Sequence, residues 1–121
     1  QGVIIFDVPV TSIGNNAFNS CSTLNSIILS NRVTYIGQGA FSKCASLLSV
    51  VISNSVTVIG YDAFGGCTSI VSVTIPESVI HIDDFAFQNC NSLTSIIIPN
   101  NVSSIGRNPF RNCTPLPSLA V

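Results

Sequence analysis

The chain has 121 residues, a formal net charge of −1 at pH 7 and only 7% charged residues. This composition lacks the basic surface on which nucleic-acid or anionic-membrane binding depends. Its apolar stretches are interrupted every few residues and fall short of the ~18 residues that a membrane span needs. We therefore expect no nucleic-acid partner and no membrane span.

A repeat of 23 residues runs through the chain without insertion or deletion. Its most regular columns are Phe18, Phe41, Phe64, Phe87 and Phe110; Cys21, Cys44, Cys67, Cys90 and Cys113; and Ile13, Ile36, Ile59, Ile82 and Ile105. Self-similarity at a fixed period of this length indicates a repeat architecture. We predict a single domain over residues 1–121, built of five repeats and belonging to a longer array or to an open-ended assembly.

The first half of each unit predicts a β-strand. In the clearest unit Ile96 and Ile98 alternate with other residues, which is the period of a strand, and Pro99 ends it. Six strands are predicted, centred on Ile4, Ile27, Val50, Val73, Ile96 and Leu119.

The second half of each unit predicts a short helical turn. Ala86, Phe87, Cys90 and Leu93 follow Ile82 at spacings of three and four residues for most steps, which is typical of a helix. A Gly column separates the two halves. The pair Asp83-Asp84 stands where a helix N-cap belongs, with Asn15 or Asn108 in that position elsewhere; weak cation binding is the alternative role of the pair.

One unit cannot bury its apolar residues alone, but stacked units can, because each column then meets its own copy. The predicted fold class is an α/β repeat solenoid. Parallel strands about 4.7–4.9 Å apart and helical turns needing about 8–10 Å would bend the stack, with the sheet on the concave side and the helical turns on the convex side.

The pattern resembles the BspA-type leucine-rich repeat family. The resemblance is carried by Leu93, Ser95, Ile96, Ile98, Pro99, Val102, Ile105 and Gly106, with Ala86, Phe87 and Cys90 of the preceding turn. It implies a right-handed leucine-rich-repeat superhelix in an extracellular or cell-surface protein. It further implies adhesion to host matrix or cell-surface proteins, and no catalysis. Asp83 in the Gly column and Pro109 in the Ala column depart from the pattern.

Few residues predict chemistry. The cysteines, 23 residues apart, do not have the spacing of a zinc site, and a column of buried free thiols is the favoured interpretation. His81, the single histidine, has no Ser, Cys or carboxylate at a recognisable motif spacing. We expect no catalytic residue, no metal and no cofactor. Asn101 and Asn112 begin N-glycosylation sequons, whose use depends on a eukaryotic secretory source.

The predicted binding surface is the outward side of the sheet. Because Ile27 and Leu29 point inward, their neighbours point out. The resulting columns are Ser26, Ser49, Ser72, Ser95 and Ser118, and Ile5, Ile28, Val51, Thr74, Ile97 and Ala120. Apolar side chains on a face that meets water indicate an interaction site, although β-branched residues also favour sheets for their own sake.

Two functions follow from these patterns. The first is a non-enzymatic scaffold for extracellular adhesion or protein–protein recognition through the concave face, with the eight residues Ser26, Ile28, Ser49, Val51, Ser72, Thr74, Ser95 and Ile97 as its site. The alternative is a structural protein whose copies assemble head to tail into a fibre through uncapped solenoid ends. The partner is then a host protein in the first case and a second copy in the other.

Overall fold

The structure is a computed structural model that describes residues 2–5 and 10–116, apart from the side chains of Ile4 and Ile5. Within these residues, ten short parallel strands alternate between two positions of each coil. The first set, called the front strands, comprises β1 (Gly2–Ile5), β3 (Leu24–Ile28), β5 (Ser49–Val51), β7 (Ser72–Thr74) and β9 (Ser95–Ile97). The second set, called the side strands, comprises β2 (Ser12–Ile13), β4 (Tyr35–Ile36), β6 (Val58–Ile59), β8 (His81–Ile82) and β10 (Ser104–Ile105).

The register of the strands follows the sequence repeat. Ser26 pairs with Ser49, and Ser72 pairs with Ser95, in parallel ladders. The side strands form one sheet in the order β10-β8-β6-β4-β2, whereas the front strands form two ladders, β1-β3-β5 and β7-β9. Each coil therefore lies on the next with a shift of one repeat, as the column pattern predicts.

The predicted helical turns are wrong, because the described residues contain no helix. The second half of each coil is a series of β-turns in which every second N–H donates to the neighbouring coil. Thus Phe41 N–H donates to Ala63 O at 2.8 Å, while Ala40 N–H donates within its coil to Gly37 O at 3.2 Å. The spacings of three and four residues belong to these turns.

Left-handed residues exclude a continuous helix in this half. Each coil has two positions with positive φ, four residues apart, and they hold Asn16, Gly39, Asp62, Phe85 and Asn108, and Ser20, Lys43, Gly66, Asn89 and Asn112. A right-handed helix does not admit such residues in its interior. Because these turns are hydrogen-bonded from coil to coil, as the strands are, the predicted mismatch between strand and helix spacing does not arise.

The core consists of the predicted columns. The Phe rings stack along the solenoid at centroid distances of 5.3–5.7 Å and interplanar angles of 4–10°. Phe41, Phe64 and Phe87 are fully buried, as are the Ile36, Ile59 and Ile82 side chains of the side strands. Phe18 and Phe110, in the outer described coils, are half-buried.

The Gly column is a place of close approach between coils. Gly60 N–H donates to Ile36 O at 2.9 Å, and a Cβ on Gly60 would lie 2.7 Å from that oxygen. Gly37 is placed in the same way above Ile13. The column therefore lets the chain pass directly over the preceding coil.

Candidate binding face

The outward side chains of β3, β5, β7 and β9 form a surface that we call the front face. Between them Ile27, Val50, Val73 and Ile96 point into the core. Of the eight predicted site residues, Ser26 is half-buried and the other seven are exposed: Ile28, Ser49, Val51, Ser72, Thr74, Ser95 and Ile97. Ser118 and Ala120, and the side chain of Ile5, lie outside the described residues. The structure thus places the predicted residues side by side on one face.

Large apolar side chains are exposed on the front face. Ile97 is 65% exposed, Val51 53% and Ile28 40%. Ile28 lies beside Val51 in one ladder, and Thr74 lies beside Ile97 in the other. A protein surface on which such exposed apolar side chains are grouped is typical of an interaction site.

Two further apolar residues of this region were missed in the sequence prediction. Leu48 and Val71, each directly before the serine of its front strand, are 57% and 51% exposed. They occupy the same column, one coil apart, and their neighbours Asn25 and Thr94 are polar. The signal in the sequence is that both are apolar where the neighbouring coils carry a polar residue, and that each follows an inward residue, Leu47 or Ile70.

A groove of about 400 Å³ lies over β7 and β9. Its outward side chains are Ser72, Thr74, Ser95 and Ile97 of the two strands, with Glu77 and Pro99 after the strands. Glu77 is exposed and is the single charged residue of the lining. The ion pairs found among the described residues are His81–Asp83 and Arg107–Asp84, so the Glu77 carboxylate has no cationic partner in that part of the chain.

The cysteines are free thiols, as predicted, and they also make a regular hydrogen bond. Each thiol from Cys44 onward donates to the carbonyl oxygen of the Phe 26 residues earlier, as Cys67 Sγ does to Phe41 O at 3.1 Å. Burial raises the pKa of Cys44 to about 11 and that of Cys67 further. The hydrogen bond with Cys113, together with burial, raises the pKa of Cys90. The protonated thiols of Cys44, Cys67 and Cys90 are therefore not nucleophiles at neutral pH.

His81 has neighbours that the sequence prediction did not identify. Its Nδ1 lies 2.9 Å from Ser104 Oγ, because Ser104 stands one repeat later in β10. Its Nε2 lies 3.9 Å from Asp83 Oδ1, too far for a hydrogen bond that would orient the ring. A serine nucleophile requires a base that is held by its third partner, so this surface cluster does not match that arrangement.

The acidic pair Asp83-Asp84 does not cap a helix. Asp84 Oδ1 accepts the N–H of Arg107 at 2.7 Å, and Asp83 Oδ1 accepts the N–H of Asp84 at 2.7 Å. Asn15 Oδ1 accepts the N–H of Gln38 at 2.9 Å in the same way. The predicted role as a helix N-cap is therefore wrong: Asp84 and Asn15 accept an N–H of the next coil, and Asp83 accepts the N–H of the residue that follows it.

Both sequon asparagines lie on the surface. Asn101 is exposed, and its Nδ2 donates to Glu77 O at 2.9 Å. Asn112 is exposed as well, and its Nδ2 donates to Asn89 Oδ1 at 2.8 Å. Their modification stays a prediction.

Within residues 2–5 and 10–116, no three or more His, Cys, Asp and Glu side chains come together as metal ligands would. No helix long and apolar enough to cross a membrane is found in that part of the chain either.

Solved structures of bacterial leucine-rich repeat proteins superpose on this chain. A leucine-rich cell surface protein of Faecalibacterium prausnitzii has 36% identity and a TM-score of 0.92, over 99% of this chain and 32% of its own. A leucine-rich repeat protein of T. pallidum has 32% identity and a TM-score of 0.91, over 97% and 56%. One from Bacteroides ovatus has 34% identity and a TM-score of 0.87, over 93% and 29%.

This chain thus spans between about a third and just over half of the length of these three proteins. No curated protein sequence matches it. The sequence pattern of the BspA-type leucine-rich repeat region, by contrast, matches residues 3–120 in six copies. With its repeat, its stacked parallel coils and this match, the chain belongs to the BspA-type leucine-rich repeat family.

Proposed function

We propose that the chain is a non-enzymatic scaffold that recognises a protein through its front face, in an extracellular or cell-surface setting. The observation that carries the proposal is the exposure of Ile28, Val51 and Ile97 on three strands of the front face, β3, β5 and β9, at 40%, 53% and 65%. Exposed apolar side chains lose contact with water when a partner covers them, which favours association.

The backbone of the front face is suited to this role. Its side chains project from parallel ladders whose register is fixed by hydrogen bonds, and the residues between them are buried in the stacked core. A surface held in this way loses little conformational freedom when it binds, so more of the interaction free energy remains as affinity.

The setting of the proposal comes from the family and from a relative. A structural relative with 36% identity is described as a cell surface protein of Faecalibacterium prausnitzii. We extend that setting to this chain, and we take an extracellular matrix or host cell-surface protein as the class of partner.

The test replaces Ile28, Val51 and Ile97 together by Lys and measures binding to a panel of extracellular matrix proteins and to whole cells. We expect every interaction of the unmodified chain to be lost, because three ammonium groups would be desolvated in the interface. The matched control replaces Tyr35, Ile80 and Ile105 by Lys, since these are 41%, 50% and 47% exposed elsewhere on the coils. Binding that survives the first change, or is lost equally in the second, contradicts the proposal.

A second candidate is head-to-tail assembly of copies. It is favoured by the parallel strand pairing of successive coils, because the same pairing would join a coil of one copy to a coil of another. Light scattering over a concentration series tests it: growth of the particle mass with concentration supports assembly, and a constant monomer mass contradicts it.

A further inference from the structure

We propose that the groove over β7 and β9 holds a short extended segment of the partner protein, with an apolar side chain on Ile97 and a Lys or Arg side chain on Glu77. This inference rests on the proposed function of the front face, and it assigns the chemistry of the ligand.

The groove changes character along the strands. At the start of β7 and β9 it presents the hydroxyls of Ser72 and Ser95, which are paired across the ladder. Two residues later it presents Thr74 and Ile97, and the Ile97 side chain, at 65%, is the most exposed large apolar side chain in the described part of the chain. After the strands it ends at Glu77 and Pro99. A complementary ligand is therefore polar, then apolar, then cationic along its length.

An extended peptide fits this order better than a compact ligand. Side chains on one side of a strand repeat every second residue, or about 6.6–6.8 Å, which matches the step from Ser72 to Thr74 along β7. The serine and threonine hydroxyls both donate and accept hydrogen bonds, so they satisfy peptide N–H and C=O groups. A volume of about 400 Å³ lies near the lower end of ligand sites, which limits the segment to a few residues.

The charge of the ligand follows from Glu77. Its carboxylate lies at the rim, and its backbone is held by the Asn101 amide, which donates to Glu77 O at 2.9 Å. The cationic residues that form ion pairs in the described part of the chain are Arg107 and, when protonated, His81, and they pair with Asp84 and Asp83. A Lys or Arg of the ligand supplies the missing partner, whereas a phosphate or carboxylate is repelled.

The experiment selects ligands from a displayed library of seven-residue random peptides. We expect peptides enriched on the unmodified chain to contain an apolar residue and, a few positions away, Lys or Arg. Selection on the Glu77→Gln variant should remove the preference for Lys and Arg, and selection on Glu77→Lys should replace it by Asp or Glu. By fluorescence anisotropy, an enriched cationic peptide should bind Glu77→Gln about two- to fivefold more weakly, as for an exposed ion pair.

Asp83→Asn is the matched control, because it removes the same charge away from the groove and keeps an oxygen that can accept the Asp84 N–H. It should leave both the selection and the affinity unchanged. Peptides that lose binding in Ile97→Lys but show no preference for Lys or Arg overturn this inference and leave the front face intact. An equal loss in Asp83→Asn also overturns it. If no peptide is enriched, or binding survives Ile97→Lys, the inference and the use of this part of the face are both overturned.

Discussion

Cys67 Sγ donates a hydrogen bond of 3.1 Å to the carbonyl oxygen of Phe41 in the preceding coil. The same bond joins Cys44 to Phe18, Cys90 to Phe64 and Cys113 to Phe87, at 3.1–3.2 Å. The Cys column is thus a row of links between coils, and its regular spacing reflects packing and hydrogen bonding together.

Replacing Cys67 by Ala should lower the free energy of unfolding by about 1–3 kcal/mol, through the loss of the thiol hydrogen bond and the cavity left by the sulfur. Phe41 O keeps its bond from Cys44 N–H at 3.3 Å, which limits the cost. Urea denaturation measures the difference. The same change at half-buried Cys21 should cost less, and equal costs at both positions would contradict this account.

The raised thiol pKa values predict how stability depends on pH. Burial raises the pKa of Cys44 from its ordinary value near 9 to about 11, so the folded chain keeps a proton that the unfolded chain releases. The part of the folding stability that depends on this retained proton is present in full below about pH 9 and is lost as the pH rises through 11. The free energy of unfolding should fall over that range, by up to about 1.4 kcal/mol per pH unit for each such thiol.

The matched comparison is the Cys44→Ala variant, whose stability should decline less steeply between pH 9 and 11 than that of the unmodified chain. Urea denaturation at several pH values gives the two slopes. Identical slopes would show that the Cys44 thiol does not hold its proton on folding.

Ser53 offers a stabilising substitution. The residue is 7% exposed, and its hydroxyl has no hydrogen-bond partner among the described residues. Pro76 and Pro99 occupy the same position in the next two coils, and their carbonyls accept the same turn hydrogen bond at 3.2 Å that Ser53 O accepts at 3.1 Å. Ser53→Pro should raise the free energy of unfolding by about 0.4–1 kcal/mol, because it restricts the unfolded chain and removes an unpaired hydroxyl. A lower thermal midpoint would contradict the equivalence of the three coils.

The Gly column predicts a contrast between two alanine variants. A Cβ on Gly60 meets the Ile36 carbonyl oxygen at 2.7 Å, whereas a Cβ on Gly14 meets no atom within 4 Å among the described residues. Gly60→Ala should therefore cost about 1–3 kcal/mol through local overpacking, and Gly14→Ala should be close to neutral. Asp83 in the same column shows that the neighbouring coil can adjust to a side chain, so the lower part of that range is expected. Thermal unfolding of both variants tests this contrast, and an equal loss of stability in the two would contradict it.

The repeat made much of the fold predictable, since a column with a fixed spacing either meets its own copy or does not pack at all. The buried residues Val33, Ile36, Phe41 and Leu47 and the exposed series of Ile28, Val51 and Ile97 follow from that spacing. The period of three to four residues, however, fits a helix and a run of β-turns equally well. Only the left-handed residues distinguish the two structures, and Lys43 and Phe85, both with positive φ, are not residue types that predict such a conformation.

The candidate site was only partly predictable for a similar reason. Alternation along a strand identifies which side chains point outward, but Leu48 and Val71 precede the regular alternation of their strands. The groove near Glu77 depends on how a loop follows its strand, which no periodic pattern specifies.

The measurement that tests the central claim most directly is a set of through-space NMR contacts between assigned Phe rings. Coils stacked with a shift of one repeat place the rings of Phe41 and Phe64, and of Phe64 and Phe87, at 5.3 Å between centroids. We predict cross-peaks for both pairs and none between Phe41 and Phe87. Absence of the two neighbouring contacts would contradict the stacking, and with it the front face that the stacking builds.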